Sequence, residues 1–213
     1  MFSPSNLPLF ALGDGAQLVL WVVVALMIVG MGVIAVRCLR KVEQGRALVR
    51  NGVGGARVNF SSMFVFPVLH RLEIMDISVK RIEIYRHGSE GLVCEDNIRA
   101  DIKVAFFVRV NKTKEDVIQV ASLLGCERAS QEAALVELFD AKFSEGLKTV
   151  GKQFQFVDLY TQRDKFKQDI LNVIGTDLNG YILDDAAIDY LEQTPKELLN
   201  PNNISLARYE LLT

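Results

Sequence analysis

The side chains that could carry acid–base, nucleophilic or metal chemistry are few, and they are scattered. His70 and His87 are the two histidines of the 213 residues. Neither has a cysteine or carboxylate at ligand spacing, and no H-x-x-x-H or G-x-S-x-G context surrounds them, so each is expected to be structural. The three cysteines, Cys38, Cys94 and Cys126, are widely spaced and form no C-x-x-C pair, which argues against a disulfide framework and against zinc. Glu95–Asp96 and Asp184–Asp185 could in principle serve as acid and base. Adjacent residues of an extended chain point to opposite faces, however, and these pairs read better as turn and surface residues. The run NGVGG at 51–55 invites comparison with a phosphate-cradling loop, but no Lys-Ser/Thr follows it and no long helix opens there, so its glycines are expected to supply a turn. No group of polar residues can be assembled with named catalytic roles. The expectation is therefore no catalytic residue, no cofactor and no metal, with binding and assembly as the better hypotheses.

The polar residues with the most regular spacing lie on one segment. Ile98, Ala100, Ile102, Val104, Phe106, Val108 and Val110 alternate with Arg99, Asp101, Lys103, Ala105, Phe107 and Arg109. The period of two predicts a strand with one apolar face and one mainly charged face. Asp101, Lys103 and Arg109 then share a face, which reads as cross-strand charge pairing rather than an anion site. Arg99, Asp101, Lys103, Phe107 and Arg109 are the candidate residues for contact with another copy of the chain. The same row reads equally as a solvated sheet face.

Other elements must position that strand. Upstream, Phe64 to Ile74 and Ile77 to Ile84 are apolar and β-branched, predicting two or three strands, with Pro67 at an edge or bulge. Downstream the period changes to about 3.6. Thr113 begins a capping sequence, Val117, Val120, Ala121 and Leu124 form a stripe, and Gly125 ends the helix. A second helix is predicted from a Ser130 cap through Leu135, Leu138, Phe139, Phe143, Leu147 and Val150 to Gly151. A third runs from about Thr161, with Phe166, Ile170, Val173, Ile174 and Leu178 on one face, to Gly180. Tyr181 to Tyr190 is expected to return as a strand. Strands first, then helices and a late strand, make an α+β domain rather than a parallel α/β sheet.

The start of the chain has a different character. Leu18 to Val36 contains no charge, amide or proline. As a helix it would be about 28 Å long, close to the roughly 30 Å of bilayer hydrocarbon. No Lys or Arg precedes Arg37, which disfavours a cleaved signal peptide. Arg37, Arg40, Lys41, Arg46 and Arg50 follow the span, so residues 1–17 are expected outside and the remainder in the cytoplasm. Cys38 stands where cysteines are acylated, but it reads better as a small apolar boundary residue. That orientation makes the sequons at Asn59, Asn111 and Asn203 irrelevant to glycosylation. The expected organisation is a short external segment over 1–17, the span over 18–36, a basic linker over 37–46, a folded domain over 47–190, and the start of a helical extension over 191–213. Apolar residues such as Leu206, Leu211 and Leu212 run on to the last residue, so the chain is expected to be part of a longer polypeptide. With a net charge of −2 it offers no overall basic surface for nucleic acid.

Three runs carry a resemblance: VEQGRALVRNGVGGARV from Val42 to Val58, FVFPVLHRLEIMDISVKRIEI from Phe64 to Ile84, and GLVCEDNIRADIKVAFFVRVNK from Gly91 to Lys112. Preceded by a span and followed by helices and a late strand, they resemble the SPFH (band 7, or prohibitin-homology) superfamily over roughly residues 42–190, and within it the flotillin-like proteins of bacterial inner membranes. The resemblance implies an SPFH domain at the cytoplasmic face that assembles into a ring or cage and organises a membrane microdomain. It also implies no enzymatic activity, and partners comprising membrane lipids, other copies of the chain and an NfeD-type membrane protein. Some relatives in the superfamily restrain a membrane protease, which is the alternative role. Family members continue into long coiled-coil segments that these residues lack.

Overall fold

A 25-residue helix, α1, runs from Asp14 to Cys38. Its apolar residues cover the whole circumference, and from Gln17 to Cys38 it is long and apolar enough to cross a membrane. A helix that is greasy all round must be surrounded by something apolar; the rest of the chain does not enclose it, since Leu18, Trp21, Leu26, Ile28 and Ile34 are all more than half exposed. The computed structural model describes residues 14–52, 54–66, 69–175 and 177–199. Residues up to 13 of the external segment expected over 1–17, Pro67, and residues from 200 onward of the extension expected over 191–213 lie outside the described residues; Asp14 to Gln17 already belong to α1, and Leu191 to Gln193 end a strand rather than open a helix.

The helix passes directly into a strand. Leu39–Lys41 form β1, which pairs antiparallel with Ser62–Phe64, β4, in the register Leu39 to Phe64 and Lys41 to Ser62. The segment expected to be a linker is thus partly built into the fold. Between these strands, Arg46–Gly52 (β2) and Arg57–Asn59 (β3) form a hairpin. Its turn uses Gly54 and Gly55 at φ of 94° and 83°, a conformation that glycine adopts without steric cost. His70–Asp76 (β5) pairs along the other edge of β2, completing a three-stranded sheet in the order β3-β2-β5.

The larger sheet is also antiparallel. Lys80–Arg86 (β6) and Tyr181–Gln193 (β10) flank the central strand Arg99–Val110 (β8); Leu92–Val93 (β7) pairs with the start of β8, and Asp177–Leu178 (β9) with the start of β10. Helices α2 (Lys114–Leu124), α3 (Cys126–Ala129), α4 (Glu132–Gly151), α5 (Asp158–Thr161) and α6 (Arg163–Ile174) separate β8 from β9 in sequence. The architecture is α+β, as expected. The inward row of β8, from Ala100 to Val110, is buried together with Ile82 and Ile84 of β6 and the apolar stripes of α2, α4 and α6 in one core that also takes Ala47, Val49 and Met75 from the smaller sheet. Aromatic rings join the layers: Phe106 lies 4.4 Å from Phe143, which stacks on Phe139 at 5.4 Å. Full burial of each such ring contributes on the order of 1.5–3 kcal/mol.

Local signals worked where they predicted a cap and failed where a residue had another task. Thr113 caps α2 as expected, its Oγ1 accepting from the Asp116 N–H at 3.1 Å. Ser130 does not cap α4. Its hydroxyl donates to the Cys126 carbonyl at 2.7 Å and accepts from the Asp76 N–H at 2.9 Å, fastening α3 to β5, and Gln131 occupies the cap position. The third helix stops at Gly175, at φ 80°, rather than at Gly180. Leu178, expected on that helix, belongs to β9, and Asn179–Gly180, with φ of 57° and 94°, form the two-residue turn of the β9–β10 hairpin. Positive φ at both positions is what such a turn needs and what Asn-Gly tolerates.

Candidate functional site

Helices cover one face of the larger sheet, and the other face carries the row singled out above. Lys103 Nζ reaches Glu83 Oε2 on β6 at 2.7 Å, and Arg109 Nε donates to Asp184 Oδ2 on β10 at 2.8 Å. Arg81 on β6 pairs with Glu83 at 2.9 Å and also with Asp189 across the sheet. The expected cross-strand pairing is therefore present, with alternating signs. The hydrogen bond from Lys103 holds the Glu83 carboxyl below its ordinary range, against a smaller opposing effect of desolvation. Phe107 stands half-buried between Arg81 and Asp185 in the strand register.

At the other end of the row the surface is closed by the chain itself. Arg99 donates to the carbonyls of Ser89 and Gly91. Asp101 is 7% exposed, and its Oδ1 accepts from the Gly88 N–H at 2.9 Å and from the Thr194 hydroxyl at 2.5 Å. A short 3-10 turn over Gly88–Glu90 and the end of β10 fold across β8 here. Of the mainly charged face expected, Asp101 is thus covered and Ala105 is buried, and the outward part of the row is Lys103, Phe107 and Arg109. Two aromatics not singled out from the sequence join it. Tyr85 and Tyr190 flank Lys103 in the register and meet edge-on at 6.5 Å, and Tyr85 stacks on His87 at 4.7 Å. The alternation Arg81-Glu83-Tyr85 was the available signal.

The remaining chemical candidates serve the fold. Asp96 accepts from the backbone N–H groups of Ile98 and Phe156, both at 3.1 Å. Asp185 pairs with Lys167 at 2.7 Å. Cys94 and Cys126 are buried, and burial pushes both thiols up to about 12, reinforced by Asp96 and by Glu73 respectively. Among the described residues no three His, Cys, Asp or Glu side chains are grouped to hold a metal ion.

A second distinctive surface lies where the chain leaves α1. Leu39, Phe64, Phe66 and Leu69 are each 41–58% exposed, and the rings of Phe64 and Phe66 are 5.4 Å apart. Beside them, between the β1–β4 ribbon and the outer face of β5, is an open groove of about 440 Å³. Its walls are apolar, from Leu48, Val65, Leu72 and Ile74, and Arg40, Lys41 and His70 also line it.

The chain is 33% identical over 176 residues to the flotillin family inner membrane protein YqiK of Escherichia coli strain K12, covering 81% of this chain and 32% of that protein. It is 22% identical over 132 residues to the flotillin family inner membrane protein sll1021 of Synechocystis, covering 61% of this chain and 20% of that protein. The chain thus spans about a third of the length of the first relative and a fifth of the second. Residues 28–195, from the middle of α1 to just beyond β10, match the SPFH domain / Band 7 family. The chain belongs to the SPFH domain / Band 7 family.

Proposed function

We propose that the protein is a membrane-anchored, non-enzymatic scaffold whose SPFH domains meet side to side in the plane of a bacterial inner membrane and close into a ring or cage that organises the lipid around it. The observation that carries this reading is the uncovered face of the larger sheet, with its alternating charges and half-buried Phe107, on a domain joined without a gap to a membrane-crossing helix. Anchoring confines every copy to one surface, so individually weak contacts act at high effective concentration. Side-to-side contacts between unlike patches close when the rotation per subunit permits. The flotillin relatives are named as inner membrane proteins, which supports the location. The basic residues Arg37, Arg40 and Lys41 at the end of α1 favour a cytoplasmic domain with the N-terminus outside. An NfeD-type membrane protein is the partner this reading suggests.

Light scattering of the full chain in mild detergent tests the assembly. The parent is expected to form a high-order oligomer. The paired reversal Lys103→Glu with Arg109→Glu should reduce it to smaller species, whereas the swap Glu83→Lys with Lys103→Glu, which keeps the internal ion pair, controls for folding. An oligomer unchanged by the paired reversal removes this face from the contact, and a parent that is monomeric at every concentration removes the scaffold reading altogether.

A further inference from the structure

We infer that the groove between the β1–β4 ribbon and β5 is a binding site for one anionic phospholipid of the leaflet facing the domain. Its phosphate would lie at the wall to which both Arg40 and Lys41 contribute, and the upper part of an acyl chain would lie along Leu72 and Ile74, over the covered Leu48. The inference rests on α1 spanning the bilayer.

Position is the first argument. Arg40 and Lys41 are the second and third residues after the last residue of α1. At about 3.3 Å per residue along a strand they lie roughly 7–10 Å beyond the helix end. Each polar layer of a bilayer is about 5–8 Å deep outside the hydrocarbon, so the two cations stand at the level of lipid phosphates. The ribbon is held there by its pairing and by the Val65 N–H, which donates to the Cys38 carbonyl at 2.9 Å.

Composition is the second. In the register Leu48 stands opposite Ile74, with Leu72 two residues before Ile74 on the same face of β5, and this is the face turned away from the core residues Ala47, Val49 and Met75. An apolar row on the outer side of a sheet usually meets water or a partner; here the chain itself covers Leu48, Leu72 is half-buried, and Ile74 is 51% exposed. Among the described residues neither Arg40 nor Lys41 is engaged by an ion pair. His70 lines the groove, and its Nδ1 is shut off from solvent without a hydrogen-bond partner among the described residues. Apolar walls with a few convergent polar groups, in a volume within the roughly 300–1,000 Å³ of small-molecule sites, are the make-up of a ligand pocket. The exposed ring of Phe66 lies 6.3 Å from that of His70 in the groove wall, and Phe64 beside it stands opposite Leu39, the first residue after α1. A ligand with a negative head and an apolar tail, presented from the membrane side, matches all of these features.

The full chain, stripped of lipid by detergent exchange, is offered phosphatidylglycerol or phosphatidylcholine, and retained lipid is counted by native mass spectrometry. Phosphatidylglycerol should be retained at one per chain with a preference of about tenfold or more, as two basic residues at the surface can supply. Arg40→Gln with Lys41→Gln should abolish the preference. Arg37→Gln, within α1 and outside the groove, should leave it, and Ile74→Trp should lower retention of both lipids by filling the groove. All four side chains are exposed, and circular dichroism confirms that each variant folds. Undiminished preference in the double variant overturns the site, as does displacement of the lipid by millimolar inorganic phosphate, which would make it a free phosphate site. Flotation with vesicles separates this from the anchor: the parent and all variants should float through α1 whatever the groove binds, and a parent that fails to float overturns the span on which the inference rests.

Discussion

Asp101 is the most informative single residue for the internal logic of the domain. Its carboxylate is 7% exposed and holds two donors from distant parts of the chain, the Gly88 N–H after β6 and the Thr194 hydroxyl after β10. Hydrogen bonds to a charged acceptor contribute about 1.5–3 kcal/mol each, and a buried N–H left without a partner keeps its desolvation cost. Asp101→Ala is therefore expected to destabilise the domain by about 3–5 kcal/mol. For a domain of this size that is roughly 10 °C in Tm. Asp101→Asn keeps an acceptor in place and loses only the charge, so it should cost about 1–2 kcal/mol. Urea unfolding of the detergent-solubilised chain, followed by far-ultraviolet circular dichroism, measures both. Trp21, the single tryptophan, lies in α1 and cannot report on the domain. If Ala costs less than about 1 kcal/mol, or if Asn costs as much as Ala, the carboxylate is not the clamp described here.

Two further outcomes follow from the packing and the ion pairs. A Cβ built on Gly146 of α4 would come within 2.6 Å of Ile174 Cγ1 on α6, so Gly146→Ala should destabilise by about 1–3 kcal/mol through overpacking despite the better helix propensity of alanine, and a variant as stable as the parent in the same urea assay refutes the close packing. Burial pushes the Asp76 carboxyl up, but hydrogen bonds from Lys80 and Ser78 outweigh it and hold the group below its ordinary value of 3.8. The stabilisation this supplies is therefore fully present above the unfolded value and lost as pH falls through the lower folded one. Lys80→Met should lower the urea midpoint at pH 7, with a gap that narrows below pH 3.8; a gap independent of pH refutes the assignment.

What could be read from the sequence was whatever a regular period encodes. The span is legible because lipid selects for an unbroken apolar run, and β8 because a central strand between unlike environments keeps one row apolar from Ile98 to Val110 while the other, apart from Ala105 and Phe107, is charged. Its companion β10 carries register shifts between Leu183 and Asp185 and between Ile188 and Tyr190, which break the alternation and hide how far the strand continues. Leu178 sits at helical spacing from Ile174, and that coincidence outweighed the Asn179–Gly180 turn signal beside it. The burial of Asp101 could not be read at all, since it depends on Thr194, more than ninety residues away. The groove was equally hidden: Leu48, Leu72 and Ile74 become neighbours of Arg40 and Lys41 only through the pairing of β2 with β5 and of β1 with β4.

The immediate succession of Cys38 by β1 has a mechanical consequence. With no residue between them, a tilt of α1 to suit a thinner or more curved bilayer would be passed, as by a crank, to the β1–β4 ribbon and through it toward the domain. In an array of such cranks the angle between neighbours would follow the shape of the lipid sheet beneath them, coupling local curvature to how the subunits fit.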